Sequence, residues 1–289
     1  MKKSKRAYLI IVIVFLVGIG LILYPTISDY VNSMHQTKAI ASYVEAVESM
    51  GPDQSEIILE NARKYNAEIR GKSEVVLNDV EMDNYMSQLN LGINGAMGYI
   101  DIPDIKVSLP IYHTTEDEIL QIGVGHVEWS SLPVGGADTH CVLSGHRGLP
   151  SATLFTNLDQ LAEGELFMLH VLNETLTYEI DQILIVEPQD ISALNIIKGE
   201  DLCTLVTCTP YGINTHRLLV RGHRVDNRGD YPTVSVVSEA LQIEPSIIVP
   251  FLAIPLLIIF LILIFTGDKR SKKKNRNIDL DEVKKIYKE

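Results

Sequence analysis

Two long apolar spans near the ends of the chain constrain its fold more than any other feature of the 289-residue sequence. No charged residue occurs from Ala7 to Ser28 or from Ser246 to Gly267. An α-helix rises about 1.5 Å per residue, so about 20 apolar residues cross the roughly 30 Å hydrocarbon layer of a bilayer. Residues 7–28 and 246–267 are therefore predicted to be transmembrane helices.

Each span has an alternative interpretation. The basic start KKSKR also fits a cleaved signal peptide, but the apolar core is long for one and YPTISDY lacks the small residues of a cleavage site. The second span would be a buried core helix in a soluble protein. Its two prolines, Pro250 and Pro255, would kink a soluble helix but are tolerated in membrane helices.

Basic residues outside the two spans predict the topology. KKSKR precedes the first span and KRSKKKNR follows the second, and short Lys- and Arg-rich segments stay on the cytoplasmic side. We therefore expect residues 1–6 and 268–289 in the cytoplasm and residues 29–245 outside, in a two-pass protein of the cell membrane. The basic tail is also expected to contact membrane lipid.

The exterior part is strongly acidic. The chain has 25 basic and 37 acidic residues, and residues 7–267 hold 12 of the basic and 32 of the acidic ones. Such a field repels nucleic acid, which excludes nucleic acid as a partner.

Three cysteines are present, Cys141, Cys203 and Cys208. An odd number leaves at least one thiol unpaired in an oxidising exterior. In LCTLVTC, Cys203 and Cys208 face opposite sides of an extended strand, so no disulfide between them is expected. Cys141 has the setting of a small buried apolar residue. No Cys-x2-Cys or His-x3-His spacing, phosphate loop or dinucleotide motif is present, so no metal or other cofactor is predicted.

Residues 29–96 are predicted to form two helices and then a loop. Gly51 and Pro52 separate the helices, and Asp53 or Ser55 can cap the second one. Its apolar face is expected to consist of Ile57, Ile58, Ala62, Tyr65 and Ile69. The following stretch, GKSEVVLNDVEMDNYMSQLNLGINGA, is polar and without a clear period, which is typical of a linker or of a lid over a site.

From Met97 onward the sequence changes to short β segments. Seven apolar or alternating runs are separated by Gly, Pro, Asn and Asp, with one short helix in TTEDEILQIG. Frequent short strands at regular spacing favour a closed or nearly closed barrel. We assign residues 97–228 to this domain and 229–245 to a linker.

Cys208 ends the apolar run TLVTC and is the candidate nucleophile. A cysteine attacks as thiolate, and a free pKa of about 8.5 leaves little thiolate at neutral pH, so a base or cation must be near. His146, in the Gly-flanked turn SGHRG, is favoured as that partner over His216. Arg217 is at the start of the next apolar run, where its guanidinium would stabilise an oxyanion. The alternative interpretation is that Arg217 only forms an ordinary ion pair with an acidic residue.

At these residues the sequence resembles a known family. SGHRGLPSATLFTNLDQLAEGELF and DLCTLVTCTPYGINTHRLLVRGHR are similar to the sortases, and specifically to the class C, pilin-polymerising sortases of Gram-positive bacteria. The resemblance covers residues 97–224. It implies a mainly β fold, a closed sortase-type barrel with short helices, preceded by N-terminal helices and flanked by two transmembrane helices.

The resemblance also implies the chemistry. Cys208 matches the family nucleophile, His146 the catalytic histidine and Arg217 the catalytic arginine. The implied reaction is a transpeptidation at the Thr carbonyl of an LPXTG-like sorting signal, through a thioester that an amine resolves. The implied partners are pilin or surface proteins with C-terminal sorting signals, and the acceptor is the amine of a pilin lysine.

One departure from the family concerns the lid. Class C sortases usually carry an Asp-Pro-aromatic tripeptide before the barrel, which LNDVEMDNYMSQLN lacks. Asp79, Asp83 or Tyr85 is the candidate replacement, and the alternative is a surface linker. Three other functions remain open at this point: a housekeeping-type sortase, a Cys-His hydrolase and an inactive membrane-tethered binding scaffold.

Overall fold

The computed structural model describes residues 2–70, 76–92 and 95–227. The predicted linker at 229–245, second transmembrane helix at 246–267 and tail at 268–289 lie outside the described residues. The predictions about them therefore stay predictions.

Helix α1 spans Lys2–Ser49 and joins the first apolar span to the first exterior helix without a break. From Ile13 it is long and apolar enough to cross a membrane, with a mean hydropathy of 1.7 in its most apolar window and none of that window buried in protein. Pro25 lies inside the helix. The predicted N-terminal span is thus a candidate membrane helix that continues directly into the folded part of the chain.

Helix α2 spans Pro52–Ile69, so the predicted break at Gly51 and Pro52 is confirmed. The predicted caps were wrong, because Pro52 occupies the first turn and Gly51 is the N-cap, without a side-chain bond. The predicted buried face was partly wrong, since Ile57 is 61% exposed. Asn66 is on the buried face of α2 instead. Its side-chain amide donates to Leu132 O at 3.1 Å and accepts from Leu132 N–H at 2.7 Å.

Helix α3 spans Asp79–Ser87, in the stretch predicted to be a loop. Its start is fixed by a capping box, in which the Asn78 side chain accepts from the backbone of Glu81 and the Glu81 side chain accepts from the backbone of Asn78. The pair occupies the Ncap and N3 positions that define this motif. With nine residues, α3 is too short to show a helical pattern of apolar residues, but its capping residues were visible in the sequence.

Eight strands, one short α-helix and three 3₁₀ helices, Pro103–Ile105, Leu158–Gln160 and Ser192–Leu194, form the rest of the described domain. The seven predicted β runs are all strands, and the three-residue β3 was too short to show a period. Their bounds are β1 Ala96–Ile102, β2 Val107–His113, α4 Asp117–Leu120, β3 Val124–His126, β4 Thr139–Ser144, β5 Leu166–Val171, β6 Glu174–Val186, β7 Asp201–Thr209 and β8 His216–Val225.

The strands close into a barrel in the order β1-β2-β3-β4-β7-β8-β6-β5, which confirms the predicted closed β-barrel. Six of the neighbouring pairs are antiparallel, and the pairs β2–β3 and β4–β7 are parallel. The parallel β4–β7 pair matters for function, since it brings the carboxyl ends of β4 and β7 to the same end of the barrel.

The core fills the barrel interior with alternate residues of the strands, as a pleated strand requires. Fully buried members include Ile100, Ile111, Leu143, Phe167, Tyr178, Leu205 and Val220. Helices α1 and α2 add Tyr43, Ala62 and Tyr65 to the same cluster. The two helices are therefore part of the folded domain.

Candidate active site

Cys208 and Arg217 lie on the adjacent antiparallel strands β7 and β8. Their Cα atoms are register partners. Side chains of directly opposed residues project to the same face, with Cβ atoms about 4.5–5.5 Å apart. Cys208 is partly exposed, as is Arg217. The fold therefore brings the candidate nucleophile and the candidate cation together.

His146 lies on the other side of Cys208. Ser144, the last residue of β4, is the register partner of Val206 on β7. His146 follows Ser144 by two residues, as Cys208 follows Val206. The alignment continues past the end of β4, because the Gly145 N–H donates to Val206 O at 3.0 Å and Thr207 Oγ1 donates to Gly145 O at 2.8 Å.

The turn that carries His146 rests on a buried aromatic ring. The backbone N–H of Phe155 donates to His146 O at 3.1 Å, and Phe155 is fully buried. A Cβ on Gly145 would lie 2.5 Å from Phe155 Cδ2, so only glycine allows this packing. The glycine before the histidine thus allows the His146 turn to pack directly against the Phe155 ring.

The outer face of the barrel carries the site. Cys203, Leu205 and Thr207 are buried on the inner side, and Cys208 has the opposite parity on β7. A second apolar cluster lies on that outer side of β4, β6, β7 and β8. Its members are Val142, Leu194 and Leu219, with Val127, Trp129, Leu184, Val186, Ala193 and Val206 packed against them. The first three are buried, whereas the residues packed against them are partly exposed and include Val206, two residues before Cys208.

Arg217 forms no ion pair with any carboxylate in the part of the chain that the structure describes. Its Nη1 donates to the backbone carbonyls of His216 and Asn214, at 3.1 and 3.4 Å. The ordinary ion pair considered as the alternative is not formed there. The remaining guanidinium donors are available to a bound carbonyl or oxyanion.

His216, the alternative base, faces the other way. It is the residue before Arg217 on β8 and the partner of Thr209, so its side chain has the opposite parity to that of Arg217. Its Nε2 lies 3.4 Å from Glu187 Oε1, and its Nδ1 lies 2.9 Å from Thr215 Oγ1. This geometry favours His146 over His216 as the partner of Cys208.

The other two cysteines are buried and unpaired. Cys141 and Cys203 are register partners on β4 and β7, 2% and 0% exposed. Burial, followed by the neighbouring Cys141 thiol, raises the pKa of Cys203 well above its ordinary value. The expectation of no Cys203–Cys208 disulfide and of a buried Cys141 agrees with this arrangement.

The three candidate lid residues lie in α3, and no described contact joins them to Cys208, His146 or Arg217. Asp79 and Asp83 are exposed. Tyr85 is fully buried, and its Oη accepts from the Thr114 N–H at 3.1 Å and lies 3.0 Å from His126 Nδ1.

The tautomer of His126 follows from its other contact. Its Nε2 lies 2.8 Å from Ser131 O. A carbonyl only accepts, so Nε2 carries the proton and Nδ1 is an acceptor; the one Tyr85 hydroxyl proton is shared between this nitrogen and the His126 carbonyl, 3.2 Å away. The buried Tyr85 side chain thus connects α3 to β3 by a hydrogen bond.

Sequence reasoning missed Arg147. Its side chain is 8% exposed, donates to Thr209 Oγ1 at 3.2 Å, and is ion-paired with Asp159. Thr209 follows Cys208, so Arg147 ties the end of β7 to the turn after His146. The position of Arg147 next to His146 in SGHRG could have indicated a role at the site. An arginine in a turn is more often exposed than buried, so the sequence did not single it out.

The chain is similar to known proteins of one family. The model of the Sortase domain matches residues 100–225. Sortase D of Bacillus subtilis is 33% identical over 133 residues, which are 45% of this chain and 64% of that protein. The chain spans 56–64% of the length of the first three curated relatives it matches, a little under two thirds.

Two solved structures are similar over their whole length. Sortase C1 from Streptococcus agalactiae is 49% identical with a TM-score of 0.64, over 66% of this chain and 100% of that one. Sortase C of Streptococcus pneumoniae is 43% identical with a TM-score of 0.59, over 65% of this chain and 97% of that one.

Proposed function

Since the chain belongs to the sortase family, and to its class C, we propose that it is a membrane-anchored cysteine transpeptidase. It cleaves an LPXTG-like sorting signal after the Thr and transfers the protein to a lysine amine of a pilin, which polymerises pili. The observation that carries the proposal is the cross-strand register of Cys208 and Arg217, with His146 aligned on the other side.

The first half-reaction forms a thioester. The thiol proton of Cys208 passes to His146, and the sulfur attacks the Thr carbonyl carbon of the sorting signal. The C–N bond to the next residue then breaks, and His146 gives its proton to the leaving amine. The acyl group remains on Cys208 as a thioester.

The second half-reaction forms an isopeptide bond. A lysine amine attacks the thioester carbonyl and loses a proton to His146, which returns it to the departing Cys208 sulfur. The products are the isopeptide and the free thiol, so no cofactor is needed and the enzyme is restored.

Arg217 stabilises the negative oxygen of both tetrahedral intermediates. Donors aimed at a developing oxyanion contribute about 3–4 kcal/mol each. The guanidinium is fixed by its bonds to the His216 and Asn214 carbonyls and faces the same side as Cys208. Its planar fork then reaches the substrate, and no carboxylate among residues 2–70, 76–92 and 95–227 competes for it.

The outer apolar cluster holds the residues that precede the Thr of the signal. Val206 and Trp129 are partly exposed on the side of Cys208 and pack against the buried Val142 and Leu219. Burial of a Leu-sized side chain there stabilises the complex by about 1.5–3 kcal/mol.

Pilus assembly is favoured over cell-wall attachment by two features. Sortase C of Streptococcus pneumoniae, a neighbour at 43% identity, has a pilin substrate specificity. The second apolar span at 246–267 predicts a C-terminal anchor, whereas housekeeping sortases usually have one anchor at the N-terminus. The basic ends predict that both termini are in the cytoplasm and the barrel is outside.

The experiment is product analysis with the full-length protein in detergent. A peptide that contains the sorting motif is incubated with and without a lysine-containing acceptor, and the products are identified by mass. A transpeptidase gives the acceptor conjugate in preference to the free acid. Free acid alone at high acceptor concentration would indicate a hydrolase, and no cleavage would indicate a binding scaffold.

A further inference from the structure

Helix α1 contacts the barrel near its catalytic end through two polar residues. Asp29 Oδ1 accepts from the backbone N–H of Thr153 at 2.6 Å and from its hydroxyl at 2.9 Å. Asn32 Nδ2 donates to Ser151 O at 2.7 Å. Ser151 and Thr153 belong to the loop that follows His146.

The same helix contacts the opposite end of the barrel further along. The Tyr43 hydroxyl donates to Met97 O at 3.1 Å and accepts from the Leu172 N–H at 2.8 Å. Fourteen helical residues separate Asp29 from Tyr43, a rise of about 21 Å. The catalytic end of the barrel is therefore the end nearer to the apolar span of α1.

The contacts near the catalytic end begin where the apolar span ends. Ser28 is the last residue of the uncharged span, and Asp29 is the next. Asn32 lies about 6 Å beyond Ser28 along the helix axis. The headgroup layer is about 5–8 Å thick on each side of a bilayer. With the end of the apolar span at the hydrocarbon boundary, the loop at 151–153 would lie at the height of the headgroups.

The two faces of α1 at this height differ. The face toward the barrel carries the polar residues Asp29, Asn32 and Gln36, and Gln36 Nε2 donates to Ile122 O at 3.1 Å. The opposite face is an exposed apolar stripe of Ile27, Tyr30, Val31 and Met34, which are 43–57% exposed. A helix with such faces at a membrane surface places its apolar face against lipid.

Two loops of the catalytic end lack charge, in a domain that is otherwise strongly acidic. Residues 148–158 and the β7–β8 loop at 210–215 contain no Asp, Glu, Lys or Arg. In the second loop Tyr211 and Ile213 are 60% and 67% exposed. The loops touch, since a Cβ on Gly148 would lie 3.2 Å from Tyr211 Cε2. Gly148, three residues before Ser151, is close to the α1 contact.

From these relationships we propose that the catalytic end of the barrel is a membrane-binding surface, with Tyr211 and Ile213 of the β7–β8 loop inserted among phospholipid headgroups. The proposal rests on the membrane anchoring assumed in the proposed function. An exposed aromatic and an exposed aliphatic residue on an uncharged loop suit an interface that is apolar on one side and hydrated on the other. The site of Cys208 then opens directly above the bilayer.

The test places a fluorophore on the loop of the full-length protein in vesicles of phosphatidylcholine and phosphatidylglycerol. Ile213→Cys is made in a Cys208→Ala background and labelled with an environment-sensitive dye; Cys141 and Cys203 are buried and stay unlabelled. A matched control is Ile197→Cys, an isoleucine that is 45% exposed in the loop before β7. That loop is about 26 Å from the catalytic end along β7.

A nitroxide near the top of the lipid acyl chain is then used as quencher. We expect strong quenching and a blue-shifted emission at position 213 and neither effect at position 197. Tyr24→Cys, inside the apolar span, reports whether α1 is in the bilayer at all. Quenching at 24 but not at 213 overturns this inference alone, whereas no quenching at 24 overturns the membrane anchoring as well. A response at 213 to a sorting peptide but not to lipid also overturns it.

Discussion

Arg217 lies directly opposite Cys208 on the neighbouring antiparallel strand, and its guanidinium is bonded to the carbonyls of His216 and Asn214. A cation held by neutral carbonyls keeps its full charge for the substrate. An ion-paired cation would have to give up that pair first. The lack of a carboxylate partner distinguishes Arg217 from Arg221, which lies four residues further along β8 and is paired with Asp181.

Arg217→Lys is predicted to reduce kcat/KM for peptide cleavage by about 100-fold or more, because a point charge does not reproduce the planar fork. The unfolding midpoint is expected to stay unchanged, since Arg217 pairs with no described carboxylate. Steady-state kinetics and chemical denaturation are the measurements.

Arg221→Lys is the matched control. Arg221 forms a two-point pair with Asp181, at 2.9 and 3.1 Å. Its replacement is expected to lower the free energy of unfolding by about 1 kcal/mol and to leave kcat/KM nearly unchanged. Equal losses of activity in both variants would remove the special role of Arg217.

The three cysteines are predicted to differ in reactivity. In the native protein a thiol reagent modifies Cys208, which is partly exposed. Cys203 stays unmodified, because burial first, and the Cys141 thiol next, raise its pKa and keep it as a thiol. Titration should count one reactive thiol in the native state and three after unfolding. A second fast thiol in the native state would contradict the buried Cys141–Cys203 pair.

Stability is predicted to fall in acid through His140. Burial lowers the pKa of His140 below its ordinary value of 6.5, and Arg221 lowers it further against the opposing effects of the Asn195 carbonyl and Asp181. As the pH falls below about 6.5, the unfolded chain therefore binds a proton that the folded chain does not, and the free energy of unfolding decreases until the folded pKa is reached.

The contacts of His140 agree with its neutral form. Nδ1 donates to Asn195 O at 2.9 Å, and Nε2 accepts from Thr204 Oγ1 at 2.7 Å. The loss of stability in acid is measured by comparing the denaturation midpoints at about pH 5 and about pH 8. His140→Gln should reduce the difference between them, and an unchanged difference would assign the acid sensitivity to other groups.

The segment at 76–90 stays a proposed lid over Cys208, although Tyr85 itself ties it to Thr114 and His126 and contacts none of the three site residues in the described structure. Tyr85→Phe keeps the buried ring but leaves the Thr114 N–H without its partner, at a cost of about 1–3 kcal/mol. Loosening the segment should then raise the rate of thiol labelling at Cys208. Asp79→Asn and Asp83→Asn are exposed controls. An unchanged labelling rate in Tyr85→Phe would make the segment purely structural.

Much of this fold was predictable from the sequence. Seven strands alternate or run apolar over enough residues to show their period, and the closed barrel followed from their spacing. The three residues of β3 and the nine of α3 are too few for a period. Only the capping pair Asn78 and Glu81 indicated α3.

The site was predictable to the level of residue type and order. The Cys208 strand and the Arg217 strand are joined by a short loop, so their pairing was expected. The alignment of His146 depends on the parallel pairing of β4 with β7, which is separated from β4 by more than 50 residues. Local sequence carries no information on such a pairing, nor on the buried setting of Arg147.

The central claim is that Cys208 carries the acyl group, and intact-mass measurement of the trapped enzyme tests it most directly. The full-length protein is incubated briefly with a sorting peptide, quenched in acid and weighed, and the adduct is mapped by digestion. We predict a thioester on Cys208 that contains the peptide up to the Thr and is released by hydroxylamine. Cleavage of the peptide by Cys208→Ala, or an adduct at any other residue, would contradict the account.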